Sequence, residues 1–254
     1  MCHVHSLAGE VPAVTQREDL IPVRDGDMPV TLHLPPGGPG PGIVLLTDVY
    51  GRLPFYQGLA ARLAGIGFVT VVPDYFFRQG ALVEYTRGAA FARHSGLDEV
   101  GSVSDAGSAV AWTSRLDAVR GDRVGLLGFC LGGTIALDLA ATGIDVAVAC
   151  FYPFPRGFGN PSVAKAPRPV DLAADIRCPT LCQWGDADYI PLDDIEEFSA
   201  AMHAHGHPYT GHVYEGAGHG YLAGLTEERP DSAVARKSWD RTVEFLSVET
   251  DVNR

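Results

Sequence analysis

The chain has 254 residues, of which 46% are apolar and 20% are charged, so it is long enough to bury a large core. Its formal net charge of −12 disfavours nucleic acid as a partner, because binding to phosphates needs a basic surface. The sequence has no apolar run of about 18 residues, no recognisable signal peptide and no disulfide framework among its five cysteines. These features predict a cytoplasmic protein that does not enter a membrane.

Apolar runs alternate with segments of helical periodicity along most of the chain. Residues 19–35 predict two strands joined by a turn at Asp25, Gly26 and Asp27. The strands that follow, each with its loop, are predicted in residues 41–51, 68–76, 122–129, 145–153, 178–188 and 209–220, and the helices in residues 53–67, 99–116, 131–143, 192–206 and 232–249. The alternation predicts one α/β domain over residues 1–254, with a mostly parallel sheet, helices on both faces and an N-terminal extension in residues 1–19.

Residues 153–169, "PFPRGFGNPSVAKAPRP", are rich in proline and glycine and are too long for a simple connection. The segment is either a lid or loop over a functional site, or an ordinary surface excursion. Tyr152 and Phe154 stand at its beginning, directly after a predicted strand. Aromatic residues at a strand end line a pocket about as often as they fill a core, and both interpretations remain open here.

The stretch "GFCLGG", residues 128–133, predicts a sharp turn between a strand and a helix. Cys130 stands at the position where such a turn presents a nucleophile, and small neighbours at Gly128, Gly132 and Gly133 allow the strand and helix to approach closely. The backbone N–H of Leu131 would then point into the site and stabilise an oxyanion. The alternative is a buried structural cysteine in a turn of similar sequence.

A cysteine nucleophile needs a histidine base and an acid, which follow it in that order along chains of this type. His219 lies on a glycine-flanked loop directly after a late predicted strand, in "VYEGAGHGYL". The acid is predicted to be Asp188 from its spacing after Gly185 in "CQWGDADYIP", with Asp186 as the alternative.

Together these motifs resemble the dienelactone hydrolase family of α/β-hydrolases. The resemblance extends from about residue 30 to residue 246 and depends on "LLTDVYG", "VVPDYFFRQG", "GFCLGG", "GDADYIP" and "GAGHGYL". It implies an α/β-hydrolase fold and a triad of Cys130 as nucleophile, His219 as base and Asp188 as acid, without metal or cofactor. It also implies an oxyanion hole formed by the N–H groups of Val49 and Leu131.

The sequence departs from the family pattern at two positions. Where the family carries a glutamate that contacts the resting thiol, this chain has the shorter Asp48, which alternatively caps the following turn. Where lactone-cleaving members have a carboxylate-binding arginine, four residues after the histidine, this chain has Ala223. Arg78 and Arg87 lie in the segment that supplies another such arginine in the family, and Tyr152 is a further candidate substrate contact.

The resemblance implies a monomeric or homodimeric hydrolase that cleaves a small ester or lactone through a thioester intermediate. Two alternatives remain: a non-catalytic binding protein with the same fold, and a thioesterase or peptidase that uses the same triad. The "CHVH" tract at residues 2–5 offers metal-ligand side chains near the terminus, but no further ligands are placed beside it, so no metal site is predicted.

Overall fold

The fold is organised around one eight-stranded sheet. The computed structural model describes residues 9–250, so the "CHVH" tract lies outside the described residues. The strands are β1 (Thr15–Val23), β2 (Gly26–Leu34), β3 (Gly42–Leu46), β4 (Val69–Pro73), β5 (Val124–Phe129), β6 (Val146–Phe151), β7 (Thr180–Gly185) and β8 (Tyr209–Tyr214). Their order across the sheet is β1-β2-β4-β3-β5-β6-β7-β8. Strands β3 to β8 pair in parallel, and only the β1–β2 and β2–β4 pairs are antiparallel. This agrees with the mostly parallel sheet that the sequence predicted.

Helices cover both faces of this sheet. The α-helices are α1 (Pro54–Gly65), α2 (Arg87–Ser95), α3 (Glu99–Thr113), α4 (Leu131–Ala140), α5 (Leu192–Ala204) and α6 (Ser232–Glu249). Every residue of β3, β4, β5, β6 and β7 is buried, and successive side chains of a strand point to opposite faces, so both faces are covered. Within residues 9–250, no helix combines the length and the apolar character needed to cross a bilayer.

Two local predictions need correction. Val23 pairs with Gly26, so the hairpin turn consists of Arg24 and Asp25, one residue earlier than predicted, and Gly26 already belongs to β2. Helix α2 was not predicted, because "RGAAFARHS" is short and three of its four apolar residues are alanines. One sequence signal of the helix is Thr86, whose hydroxyl accepts a hydrogen bond from the Ala89 N–H at 3.2 Å and caps the helix.

The carboxyl ends of the parallel strands gather the candidate site residues at one edge of the sheet. The loop after β3 carries Asp48 and Val49, the turn after β5 carries Cys130, and the loops after β7 and β8 carry Asp188 and His219. Ligand sites of open parallel sheets lie at this edge. The topology therefore brings together residues that are far apart in sequence.

The turn after β5 depends on a close backbone contact that only glycine allows. A Cβ atom at Gly132 would come closer than 3.0 Å to the carbonyl oxygens of Leu46 and Thr47, and one at Gly128 would approach the backbone of Gly132 and Gly133 equally closely. The first turn of α4 therefore lies directly against the end of β3.

We expect Gly132→Ala to lower the free energy of unfolding by about 3 kcal/mol or more, because the new methyl group clashes with backbone that cannot move aside. Gly107→Ala in α3 is the matched control, since its Cβ would meet only the Leu139 side chain at an ordinary 3.4 Å. There the higher helix propensity of alanine should leave stability equal or increased. Urea denaturation of both variants provides the comparison, and equal stabilities would contradict the predicted contact.

Candidate active site

Cys130 occupies a strained position between β5 and α4. Its backbone has φ 54° and ψ −119°, a region that residues with side chains rarely adopt, and its side chain is fully buried. The N–H of Cys130 donates to the carbonyl of Phe151 at the end of β6, with an N–O distance of 3.0 Å. Leu131 is the first residue of α4, so its N–H lies outside the helical hydrogen-bond ladder. The turn thus combines a thiol with an adjacent backbone donor at the junction of β5 and α4.

The loop after β3 is held by side chains from two other elements. The Tyr75 hydroxyl donates to the carbonyls of Thr47 and Asp48 at 2.7 and 3.1 Å. Arg93 Nη2 of α2 donates to the carbonyl of Val49 at 3.0 Å. Because a trans peptide sets its N–H opposite to its C=O, the bond from Tyr75 to the Asp48 carbonyl directs the Val49 N–H away from Tyr75.

Burial raises the pKa of Tyr75 well above its usual value, and the nearby Asp48 and Cys130 raise it further. The Tyr75 hydroxyl therefore remains a hydrogen-bond donor at any physiological pH. Asp48 Oδ1 accepts from the Tyr50 N–H at 2.9 Å, which is the turn-capping geometry that the sequence left as an alternative.

The structure brings His219 together with Asp188 rather than Asp186. His219 Nδ1 lies 2.8 Å from Asp188 Oδ2 and 3.1 Å from Oδ1, and both side chains are buried. Asp186 points elsewhere, because its exposed carboxylate accepts a hydrogen bond from the Gly216 N–H at 2.6 Å. With Nδ1 facing a carboxylate, the imidazole has a fixed orientation.

Three aromatic rings surround the imidazole of His219. The ring centroids of Tyr152, Phe154 and Tyr189 lie 4.7, 5.7 and 4.6 Å from it. Tyr152 is fully buried and has φ 42°, a second strained backbone position at the carboxyl edge of the sheet. Tyr152 and Phe154 therefore contact the candidate base.

Cys130 lines a narrow pocket, which we call the inner pocket. Its volume is about 20 Å³, close to the space that one water molecule needs. A larger cleft of about 480 Å³, the outer chamber, adjoins it and is within the usual size range of ligand sites. The two spaces share four lining residues, namely Arg87, Phe91, Phe158 and Tyr189.

Three of these shared residues were missed by the sequence analysis. Phe91 lies on the unpredicted helix α2, Phe158 lies within the segment 153–169, and Tyr189 follows Asp188. The cap at Thr86 was one signal that pointed to α2. Nothing local in the sequence marks Phe158 or Tyr189 as pocket residues.

Comparison with known proteins agrees with this architecture. Residues 28–249 match the model of the dienelactone hydrolase family. The chain is 40% identical to a carboxymethylenebutenolidase from Rhodococcus opacus, over 97% of this chain and 96% of that protein. The chain belongs to the dienelactone hydrolase family.

Other relatives support the same assignment. A carboxymethylenebutenolidase 2 from Cupriavidus pinatubonensis is 34% identical, over 77% of this chain and 79% of that protein. A crystal structure of a Klebsiella pneumoniae protein described as a dienelactone hydrolase superposes with a TM-score of 0.82 at 25% identity, over 93% of this chain and 99% of that one. The predicted α/β-hydrolase fold and carboxylic ester hydrolase class are confirmed at the level of the family.

The two arginines that the dienelactone hydrolase resemblance singled out occupy different places. Arg78 pairs with the buried Asp105, at 2.5 Å between Nη1 and Oδ2, and lines neither the inner pocket nor the outer chamber. Arg87 lines both spaces and lies 5.0 Å above the ring of Phe91. Among residues 9–250 no carboxylate forms an ion pair with Arg87. Ala223, at the other family arginine position, is buried.

A cleft of about 360 Å³ beside β1 and β2 is separate from Cys130. Its arginine Arg52 is already paired with Glu18 and Asp74, at 3.0 and 3.7 Å, and Arg93 is bound to the Val49 carbonyl. In the part of the chain that the structure describes, no three His, Cys, Asp or Glu side chains are grouped to hold a metal ion.

The segment 153–169 forms a wall of the site and is anchored by Glu99. Glu99 Oε2 accepts from the Ala166 N–H at 3.1 Å, and Glu99 Oε1 lies 3.3 Å from both Lys165 Nζ and His94 Nε2. Burial alone raises the pKa of Glu99, but hydrogen bonds from His94 and the segment outweigh it and lower the pKa. This contribution to stability is therefore present at neutral pH and is lost as the pH falls through the lowered pKa.

We expect Glu99→Gln to speed trypsin cleavage after Lys165 about tenfold, because the segment loses charge-assisted hydrogen bonds and opens more often. Glu244→Gln on the exposed face of α6 is the charge-matched control and should leave the rate unchanged. Mass spectrometry of the fragments over time measures the cleavage. An unchanged rate in Glu99→Gln would show that Glu99 does not hold the segment.

Proposed function

We propose that Cys130, His219 and Asp188 form a catalytic triad that hydrolyses a small ester or lactone through a thioester intermediate. The observation that carries the proposal is the strained turn that presents Cys130, in a pocket whose Tyr189 also packs on the Asp188-bound His219. Strain of this kind persists only where the surrounding structure enforces it, and it is concentrated at functional sites.

In the acylation step, His219 takes the proton of the Cys130 thiol and the thiolate attacks the carbonyl carbon of the ester. The carbon–oxygen bond to the leaving group breaks, and His219 returns the proton to that oxygen. Asp188 holds the imidazole in the orientation that this transfer needs. For a lactone the leaving oxygen stays tethered to the acyl group.

In the deacylation step, His219 takes a proton from water, which attacks the thioester. The carbon–sulfur bond breaks, the thiol is restored and a carboxylic acid leaves. In both steps the negative charge on the carbonyl oxygen is stabilised by the N–H groups of Leu131 and Val49. The hydrogen bonds from Tyr75 and Arg93 to the loop after β3 support this role of Val49, since they fix the orientation of its peptide.

A carboxylate on the substrate would bind Arg87. Carboxymethylenebutenolidases are named for a lactone that carries such a group, and Arg87 is the cation placed at the entrance from the outer chamber to Cys130. An unpaired guanidinium can bind a carboxylate with two parallel hydrogen bonds. Arg78 is a weaker candidate because its charge is used by Asp105.

We expect Cys130→Ala and His219→Ala to lower kcat for phenyl acetate by about three orders of magnitude or more, because each removes a group that bonds to a reacting atom. Asp188→Asn should lower kcat on the order of 100-fold to 10,000-fold through loss of imidazole orientation. Asp186→Asn is the matched control, with a carboxylate on the same loop that does not touch His219.

Initial-rate assays of the variants measure these effects, and circular dichroism checks that each variant is folded. Full activity in Cys130→Ala would refute the triad. If the wild type hydrolyses neither phenyl acetate nor a dienelactone and its thiols are not alkylated unusually fast, the binding-protein alternative replaces the proposal.

We expect Arg87→Gln to raise KM for a carboxylate-bearing butenolide about fivefold, because the variant loses a charge-assisted pair made by an exposed side chain. KM for the neutral carboxamide analogue should change less than about twofold. Arg78→Gln serves as the comparison and should leave the ratio of the two KM values unchanged. If Arg78→Gln raises the ratio of the two KM values instead, Arg78 rather than Arg87 binds the carboxylate.

A further inference from the structure

The outer chamber adjoins the inner pocket and is much larger than it. The inner pocket admits little more than the reacting group, whereas the chamber has about 480 Å³. Its apolar wall is built mainly from Phe91, Phe154, Phe158 and Tyr189. The site is therefore shaped for a substrate whose reacting carbonyl enters a narrow end and whose remaining part occupies a wide aromatic space.

Three rings of the aromatic wall, Phe91, Phe154 and Phe158, are packed on one another before any ligand binds. The centroids of Phe154 and Phe158 lie 5.1 Å apart, and those of Phe91 and Phe158 lie 5.3 Å apart. The Phe154 N–H donates to Thr134 Oγ1 at 2.9 Å, and Asn160 Nδ2 donates to the Phe91 carbonyl at 3.0 Å. A wall that is already ordered does not have to lose conformational freedom on binding.

The chamber lies on the side of the site where the leaving group must be. Tyr189 and Phe154, which line the chamber, pack on the His219 ring at 4.6 and 5.7 Å. In the proposed mechanism His219 donates its proton to the leaving oxygen, so the alcohol part of the ester lies beside the imidazole. The carbonyl oxygen would lie at the inner pocket, which Val49 lines and which lies beyond the lining of the outer chamber.

We propose that the outer chamber binds the alcohol part of the substrate and that this part is a planar aromatic ring system, as in an aryl ester. This inference rests on the proposed function. The reaction is a hydrolysis in which the thiolate displaces an aryl oxide, which takes the proton of His219, and water then releases the acid from the thioester. Aromatic walls favour a flat ring through offset or edge-to-face contacts.

The charges at the chamber agree with this assignment. Arg156 also lines the chamber, but its guanidinium pairs with Asp194 and Glu197. Arg87, which has no such pair among the described residues, is the cation available to a ligand. A carboxylate on the aromatic ring would therefore strengthen binding.

The test compares esters that differ on only one side of the ester bond. Phenyl acetate and 2-naphthyl acetate share an acyl group and have leaving groups of similar acidity, while phenyl 2-naphthylacetate carries the larger ring on the acyl side. We expect kcat/KM for 2-naphthyl acetate to exceed that for phenyl acetate about tenfold, mainly through KM, with no such gain for the acyl-side ring. Phe154→Ala and Phe154→Leu should remove or reduce that preference.

Phe77→Ala is the matched control, since Phe77 is half-buried like Phe154 but lines neither space. Binding of 2-naphthol to Cys130→Ala, measured by fluorescence titration, gives a readout that does not need turnover. We expect binding that Phe154→Ala weakens and Phe77→Ala does not.

Different results would contradict the proposed triad and the proposed aromatic chamber. Cys130-dependent hydrolysis without a naphthyl preference, and without 2-naphthol binding, would overturn the inference and leave the triad intact. Hydrolysis that persists in Cys130→Ala would overturn the triad, while 2-naphthol binding sensitive to Phe154 would still support the chamber as an aromatic site. A preference for the acyl-side ring would reverse the assignment of the chamber and so refute it.

Discussion

The geometry of the site depends on the contact between the first turn of α4 and the end of β3. Because Gly132 has no side chain, the backbone of α4 can lie against the carbonyls of Leu46 and Thr47. That approach sets the separation between the loop bearing Val49 and the turn bearing Cys130 and Leu131. A bulkier residue at this point would separate the two backbone donors proposed for the oxyanion, even if every reactive side chain remained.

The rest of the site is arranged around this contact by buried polar and aromatic groups. Tyr75 and Arg93 fix the loop after β3, Asp188 fixes the imidazole of His219, and aromatic rings exclude water around it. Apart from the neighbours Asp188 and Tyr189, these side chains come from different segments of the chain. The site is therefore ordered in advance, which lowers the reorganisation that a reaction would require.

The local sequence was sufficient to predict which loops at the strand ends carry the candidate site residues. The turn at Cys130 and the loop that carries His219 can be recognised in the sequence because the glycines that their backbones need lie close by. The preference for Asp188 over Asp186 came from loop spacing alone, since the hydrogen bond from Gly216 that holds the Asp186 carboxylate joins residues 30 positions apart. The place of Arg78 depends similarly on Asp105. Helix α2 was missed because it is short and three of its four apolar residues are alanines, so no run of large apolar side chains marks it.

The wall of the outer chamber comes mostly from one continuous stretch of chain, residues 153–169, that follows β6 directly. The proposed nucleophile, base and acid belong to the ends of three other strands. Phe154 packs on His219 and Phe158 lines the inner pocket with Cys130, so changes elsewhere in this stretch can alter which molecules fit while the reacting groups keep these contacts. Such a division makes the segment a natural unit for evolutionary exchange between relatives, and a compact target for libraries that seek new specificity while chemistry stays constant.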